Sequence, residues 1–473
     1  MKALVIGGGG ADHAVTWKLT KSLAVTAAYA APGNYGTHLV GANLNIPPTD
    51  PESLAQWAGE NQIDLTLVND PVALAFGAVD VFQAQGLRVF GPSQSAARLE
   101  SDKGWAKSFL ERHGIPTPPG REFSRLDEAE GYLAAARFPV VLKSSHREMP
   151  TNVVVARRHE SAVEAVRAIL APVRRGPANS VLIEDYVDGE VCSVLVVTDG
   201  ETARVLGTAS VYFSAERGSE ASIIPGMGVI SPARGVSDPS EEVLDRIIRP
   251  VLAGLASEGV PYMGAITARV MLTRGGPAAL SFKTRFSDPE AQAILPRWQD
   301  DLYIVADAVL DRALNDLAPF KWSNEQTCGV VVASEGYPNE VETGYGILGL
   351  SETGNSTTIF HNGTRDPYQK PVGLITPTYD RASTGRLGRP GGISSWLVPS
   401  RSRSKQLDAQ ATRVSRDPYS QIVTADGRVL TVVGQGKTRE DARQNAYRAV
   451  ARISFTGCWN RSDIGEEPRE GQQ

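Results

Sequence analysis

The sequence predicts a multidomain α/β and α+β chain that opens on a doubly wound parallel sheet and closes in a mixed α/β domain. Three observations carry this reading. The chain has 473 residues, about three times the usual domain length. Residues 1 to about 105 alternate short apolar runs with helical stretches, which is how strands joined by crossover helices read. Further on, the apolar runs SVLVVTDG, GAITARVMLT and ALSFKTRF follow one another as strands, and the pattern turns mixed again after 326.

In order, ALVIG is a strand, 11–21 a helix, VTAAYAAPG a strand, 51–61 an amphipathic helix, DLTLVND a strand, 73–85 a helix and LRVFGP a strand. Ligands on such sheets sit at the carboxyl ends of strands, where three turns fall: 7–10, APGNYGT at 31–37 and GPS at 91–93. The first follows a strand and opens a helix, so its N–H groups suit a phosphate; a plain packing turn is the competing reading. A full dinucleotide fingerprint is absent, because Ala11, Asp12 and His13 stand where a third glycine would fall. HGIPTPPG then marks a turn, and PVVLKS (139–144) with NVVVAR (152–157) reads as a hairpin. A helix at 159–171 and a strand entering a turn at 180–190 follow. Helices are expected at 240–258 and 299–317, and the last unit holds CGVVVASEGYP, TIFHNGT, QIVTADGRVLTVVGQG and a helix at 438–453. The expected division is 1–105, 106–195, 196–325 and 326–473.

The composition, 41% hydrophobic and 21% charged with a formal charge of −5, is that of an ordinary globular chain. No apolar run reaches the ~18 residues a membrane span needs, and the start lacks a signal-peptide cleavage region, so a cytoplasmic protein is expected. Cys192, Cys328 and Cys458 are far apart and odd in number, pointing to neither a disulfide framework nor a zinc site. The stretch 365–418 carries a net +6, leaving −11 on the rest, and its Ser, Gly and Pro content reads as an exposed insertion. Overall acidity argues against a nucleic-acid partner. A small-molecule substrate, no membrane, and a monomer or weak homo-oligomer are expected.

The motifs RFSDPEAQ (285–292), IEDYVDGE (183–190), VLK (141–143), PGMGVISPA (225–233), GGGGADHA (7–14), APGNYGT, FLERHGIPTP (109–118), YPNEVETG (337–344) and CWNRSDIG (458–465) fall in an order that resembles the glycinamide ribonucleotide synthetase family. The resemblance implies an N-terminal phosphoribosyl-substrate domain, central ATP-grasp domains with a small clamp, and a C-terminal domain. It implies ATP as the nucleotide, contacted by Lys103 and Lys143, a hinge at Glu184, Asp185, Tyr186 and Val187, and Glu190 on the ribose. Gly9, Gly10, His13, Asn34, Gly36 and Thr37 would hold the phosphoribosyl substrate, and Arg285 and Asp288 are the candidate catalytic residues.

Against that pattern the chain departs in three places. The Gly-rich lid after the lysine strand is replaced by KSSHREMPTN at 143–152, with His146 and Pro150 where glycine freedom and N–H donors are wanted. Ser281 and Lys283 stand where the resemblance implies magnesium oxygens, with Arg269 on the neighbouring strand, so no metal ligand is assigned and magnesium is in question. The two substrate runs become SVYFS (210–214) and SIIPGMG (222–228). Two functions remain open from the residues alone. One is a divergent ligase of the phosphoribosylamine–glycine type, in purine-like or specialised nucleotide metabolism. The other is a catalytically impaired binding or regulatory protein that keeps the phosphoribosyl pocket. Lys283 and Arg269 would neutralise nucleotide phosphates or else pair with Glu184 or Asp288.

Overall fold

The computed structural model describes residues 1–145, 153–171, 179–214, 223–234, 238–352, 354, 356–367 and 422–466. The lid segment 146–152 and residues 368–418 of the basic stretch lie outside the described residues.

The N-terminal sheet is parallel and contains β1 (Lys2–Gly7), β2 (Ala27–Pro32), β3 (Ala42–Asn43), β4 (Leu65–Val68) and β5 (Val89–Phe90), in the order β3-β2-β1-β4-β5. The central strands β1 and β4 are buried almost throughout, because helices cover both faces of a doubly wound sheet. The expected helix at 73–85 is two helices, Pro71–Ala75 and Ala78–Ala84. Gly77 separates them at φ +77°, a left-handed conformation that suits glycine.

A four-stranded antiparallel sheet follows, built from β6 (Gly120–Phe123), β7 (Val140–Ser144), β8 (Val153–Ala156) and β9 (Val181–Asp185) in the order β6-β9-β7-β8. The hairpin read from the sequence is the β7–β8 pair. Helices Leu126–Leu133 and His159–Ile169 close over one face on a core that includes Phe123, Leu142, Val166 and Ile183.

The largest sheet comprises β10 (Glu190–Thr198), β11 (Ala203–Tyr212), β12 (Gly228–Ser231), β13 (Gly264–Thr273), β14 (Gly276–Lys283), β15 (Gln326–Ala333), β16 (Thr357–His361) and β19 (Arg428–Gly436). Its order is β14-β13-β10-β11-β12-β15-β19-β16, and β17 (Thr364–Arg365) pairs separately with β18 (Val423–Thr424). Strands from beyond residue 326 thus continue the central sheet, and β10 runs unbroken through residue 195. The helix expected at 240–258 widens into a π turn at Leu244–Ile248, just before Pro250, whose ring nitrogen has no N–H for the Arg246 carbonyl. The helix expected at 299–317 ends at Leu310, and a 3-10 turn follows at Leu314–Asp316.

One carboxylate ties these parts together. Asp288 Oδ2 accepts hydrogen bonds from the Ala11 N–H (3.1 Å), Gln292 Nε2 (2.8 Å) and Asn362 Nδ2 (3.1 Å), while Oδ1 pairs with Arg428 Nη1. Ala11 lies in the first turn of the helix Gly10–Leu19, where the helix dipole favours an anion. Asn362 is fixed in turn by Thr431 Oγ1, which donates to its Oδ1 at 2.9 Å. The seam is close-packed: a Cβ on Gly10 would come within 2.5 Å of both Asn362 Nδ2 and Gln292 Nε2.

Asp288→Ala leaves the largely buried Arg428 guanidinium without its carboxylate, a change that costs about 2–4 kcal/mol, below the full cost of breaking a wholly buried pair. Urea unfolding is expected to show that loss, and Arg428→Met in the same chain to restore part of it. A single-mutant loss below about 1 kcal/mol would mean that the seam is held elsewhere.

Candidate functional site

The residues expected to hold a phosphoribosyl group come together at the amino end of the helix Gly10–Leu19. Gly9 caps it, and the Gly9 N–H donates to Asp12 Oδ2 at 2.7 Å. Asn34 caps the next helix, Tyr35–Val40, through Oδ1, which accepts from the Thr37 N–H at 3.0 Å. Its Nδ2 is spent on the carbonyls of Gly8 (3.0 Å), Gly9 (3.2 Å) and His361 (2.7 Å). Thr37 is fully buried and its hydroxyl bonds to the Asn34 carbonyl and Asn43 Oδ1. Gly36 is obligatory because a Cβ there would overlap His13 Nδ1. That nitrogen accepts the His361 N–H at 3.0 Å, so His13 is held by the C-terminal part of the chain. The six residues therefore form one cluster, yet the Asn34 and Thr37 side chains are committed to shaping the turn. Backbone groups are what the turn has left to offer a ligand.

The second cluster lies where the four-stranded sheet meets β14. Lys143, on β7, donates to the Leu280 carbonyl at 2.7 Å and pairs with Glu184 Oε2, while Lys107 pairs with Glu184 Oε1 at 2.5 Å. Lys103 donates to the carbonyl of Ser144, the residue after Lys143. Three ammonium groups thus converge on one edge of the small sheet, and Glu184, 3% exposed, serves two of them as counterion. Burial lowers the pKa of Lys107, and the Glu184 carboxylate works against that shift. Asp185 and Tyr186 are exposed, Val187 is half-buried, and Glu190 is exposed at the first residue of β10. Lys107 was not singled out from the sequence, although it lies one helical turn after Lys103, a spacing that sets both on one face.

Arg285 and Lys283 converge on Glu100, at the end of the helix Gln94–Ser101. Glu100 Oε1 accepts Arg285 Nη2 at 3.2 Å and Lys283 Nζ at 3.3 Å, and Oε2 accepts the Thr284 N–H at 2.9 Å. Arg269 pairs with Glu290 at 2.9 Å and stacks its guanidinium 4.0 Å over the Phe213 ring. The pairings weighed from the sequence, with Glu184 or Asp288, are replaced by Glu100 and Glu290, which reach these cations from the last turn of the helix Gln94–Ser101 and the first residue of the helix Glu290–Ile294. Glu290 is fully buried; burial opposes its charge, but Arg269 and the Ser193 hydroxyl (2.9 Å) outweigh it and hold the carboxyl below its usual range. Glu290 Oε2 has no hydrogen-bond partner among the described residues.

These donors suit a nucleotide better than a divalent metal. The converging lysines fit a polyphosphate. Around the Glu290 carboxylate, however, stand Arg269 and Ser193, both on Oε1, with Ser281 and Lys283 on the strand that pairs with that of Arg269. That set lacks the several hard oxygens magnesium requires. Among the described residues no group of three His, Cys, Asp or Glu side chains is arranged to hold a metal.

His13 and His361 give the N-terminal cluster a pH dependence. Burial pushes His13 well below its ordinary value, helped by the His361 charge, and burial takes His361 from 6.5 to about 4. Both rings are neutral when folded and free to protonate when unfolded, so stability present above about 6.5 is lost as pH falls toward 4. For His361 alone the shift corresponds to about 3 kcal/mol. Asp12 has the opposite sign: burial and the Asp70 charge raise it to about 6, so its cost appears as pH rises through about 4 to 6. The two histidines outweigh one carboxyl, and Tm should fall between pH 6.5 and 4.5. The fall should be smaller in His361→Gln; an equal fall would assign acid sensitivity to other groups.

Similarity to known proteins follows the same three parts. The phosphoribosylglycinamide synthetase N domain matches residues 1–100, its ATP-grasp (A) domain residues 101–291 and its C domain residues 399–467. The C-domain match takes in 399–418, so the end of the basic stretch expected as an exposed insertion falls within the family pattern. The phosphoribosylamine–glycine ligase of Ralstonia nicotianae is 35% identical over 468 residues, covering 98% of this chain and 99% of that one. The ligase of Halalkalibacterium halodurans is 33% identical, with 99% and 97% covered. Among solved structures, the phosphoribosylamine–glycine ligase of Thermotoga maritima aligns with a TM-score of 0.74 at 22% identity, over 98% of this chain and all of that one. The biotin carboxylase domain of Hydrogenobacter thermophilus 2-oxoglutarate carboxylase, solved with MgADP and bicarbonate, aligns at 0.65 and 14% identity over 97% of this chain and 91% of that one, a likeness of fold alone. With domain matches over most of its length and full-length relatives at a third identity, the chain belongs to the phosphoribosylglycinamide synthetase family, whose central domain is an ATP-grasp domain.

Proposed function

We propose that the chain is an ATP-dependent ligase that forms a C–N bond between a carboxylate and an amine of the phosphoribosylamine type, in the cytoplasm. The observation that carries this reading is the pairing of Lys107 and Lys143 with Glu184, with Lys103 on the neighbouring Ser144 carbonyl, at the contact between the four-stranded sheet and β14. In such a ligase a carboxylate takes a phosphoryl group from ATP, and the amine then displaces phosphate to leave an amide. The lysines counter the charge of the phosphates, while hinge backbone at 184–187 meets the base and Glu190 the ribose. Backbone groups of Gly9 and Gly10 meet the phosphoribosyl end, on a turn shaped by His13, Asn34, Gly36 and Thr37. Arg285 and Asp288 act as positioning residues, since their side chains are engaged with Glu100 and across the domain seam. The division at 105, 195 and 325 belongs to this proposal. Relatives carry ligase names, and nothing in them favours the non-catalytic alternative.

The decisive assay supplies phosphoribosylamine, glycine and ATP and follows ADP. Release that requires both the amine and the carboxylate, reduced at least 100-fold in kcat/KM by Lys143→Ala, is expected. ATP binding without turnover across a panel of small amino acids would instead support a binding protein.

Because the donors do not suit magnesium, Lys283 and Arg269 are the charges near β13 and β14 available to a polyphosphate. Each such cation ~4 Å from a phosphate oxygen is worth on the order of 4 kcal/mol at an effective dielectric of 20, before desolvation. Calorimetric titration with ATP should give affinities within about threefold in EDTA and in excess magnesium. Strictly magnesium-dependent binding would contradict this and point to oxygen ligands elsewhere.

A further inference from the structure

We infer that the unpaired edge of β11 forms a second binding site, for a small anion that carries a planar ring. β12 pairs with β11 only at 210–212, so residues 203–208 have no strand partner on that side among the described residues. The gap is a cavity of about 540 Å³, within the range of small-molecule sites, lined by Gly207, Arg204, Arg297, Ser240, Phe320 and Trp322 among others. It stands apart from the nucleotide cleft. From Gly207 to Tyr212 is five residues of strand, about 17 Å. Phe213, against which Arg269 stacks, lies one residue further.

Three arginines, Arg204, Arg249 and Arg297, line the cavity against two carboxylates, Asp238 and Glu241, so the balance of charge favours an anion. Arg297 is half-buried, its Nε donates to the Glu325 carbonyl at 2.7 Å and its Nη1 to Ser231 Oγ at 3.1 Å. Nη2 has no hydrogen bond to any described residue, and no carboxylate pairs with this guanidinium among them. Burial lowers its pKa and the more distant Asp238 only partly offsets that, which is the condition of a cation short of a counterion. A guanidinium held at two corners presents its remaining edge in a fixed direction, well suited to a phosphate or carboxylate.

The walls select a ring. Trp322 lies flush against Gly207, where a Cβ would sit 3.5 Å from the indole, and Phe320 is sandwiched against Arg204, whose guanidinium is 5.5 Å from the ring centre. Arg204 itself is satisfied by the carbonyls of Asn315, Leu317 and Ala318, so it braces the aromatic wall, and Arg249 is paired with Asp245, which leaves Arg297 as the anion contact. Two aromatic side chains beside one underpaired arginine match a ligand with a flat ring and a single anionic group.

Phenyl phosphate is the probe, because it has this chemistry and lacks the base and ribose of a nucleotide. Calorimetry on the full chain should show one site, with affinity at least tenfold lower in Arg297→Gln, at least threefold lower in Trp322→Leu, and at least tenfold lower for inorganic phosphate on the unmodified protein. Lys143→Ala should leave the affinity unchanged. Should Arg297→Gln fail to fold, the comparison of Trp322→Leu with Phe320→Leu decides, since both must weaken binding. Absence of binding overturns the inference. So does binding that Lys143→Ala abolishes, which would locate the probe in the nucleotide cleft and bear on the ligase reading separately.

Discussion

The carboxylate of Asp288 is the constraint on which the assembly rests. Its oxygens are shared among the amino end of the first helix, the turn after β16 and the start of β19, three segments far apart in sequence. A largely buried carboxylate is tolerable only when its lone pairs are filled, and here four donors fill them. The N-terminal sheet, the central sheet and the C-terminal strands therefore meet at a fixed geometry. The glycine turn that opens the first helix is presented to the cleft as a consequence.

The cleft itself is arranged by competition for few carboxylates. Glu184 holds Lys107 and Lys143, Glu100 holds Lys283 and Arg285, and Glu290 holds Arg269. Each anion is nearly buried, so each pair is strengthened by low dielectric and costly to leave half-made. A polyphosphate entering such a cleft meets cations already desolvated and oriented, and needs only to draw them from their carboxylate partners. A nucleotide bound without a metal, as proposed, rests on the same balance, because Lys283 and Arg269 bring an ammonium and a guanidinium group to these strands.

Much of this was legible in the sequence, and the remainder was hidden for physical reasons. Strand–helix alternation over 1–105 and the β7–β8 hairpin follow from local periodicity, and both are present. The cluster of Gly9, Asn34 and Thr37 was visible as turns at strand ends, because such turns face the same edge of a doubly wound sheet. What Asn34 and Thr37 do there was not visible, since their partners are backbone carbonyls brought in by folding. The split at Gly77 and the π turn before Pro250 turn on single residues inside otherwise helical patterns. Glu100, Asn362 and Arg428 carry no local signature at all; each matters only through a partner at least 70 residues away.

Amide hydrogen exchange at the amino end of the helix Gly10–Leu19 tests the central claim most directly. If Asp288 holds the seam, the Ala11 amide is protected in the native chain. In Asp288→Asn that protection drops at least tenfold, together with that of the Asn362 and Gly363 amides, while β7 and β9 exchange as before. Unchanged protection at Ala11 in that variant would contradict the account, showing that the first helix is seated without the carboxylate.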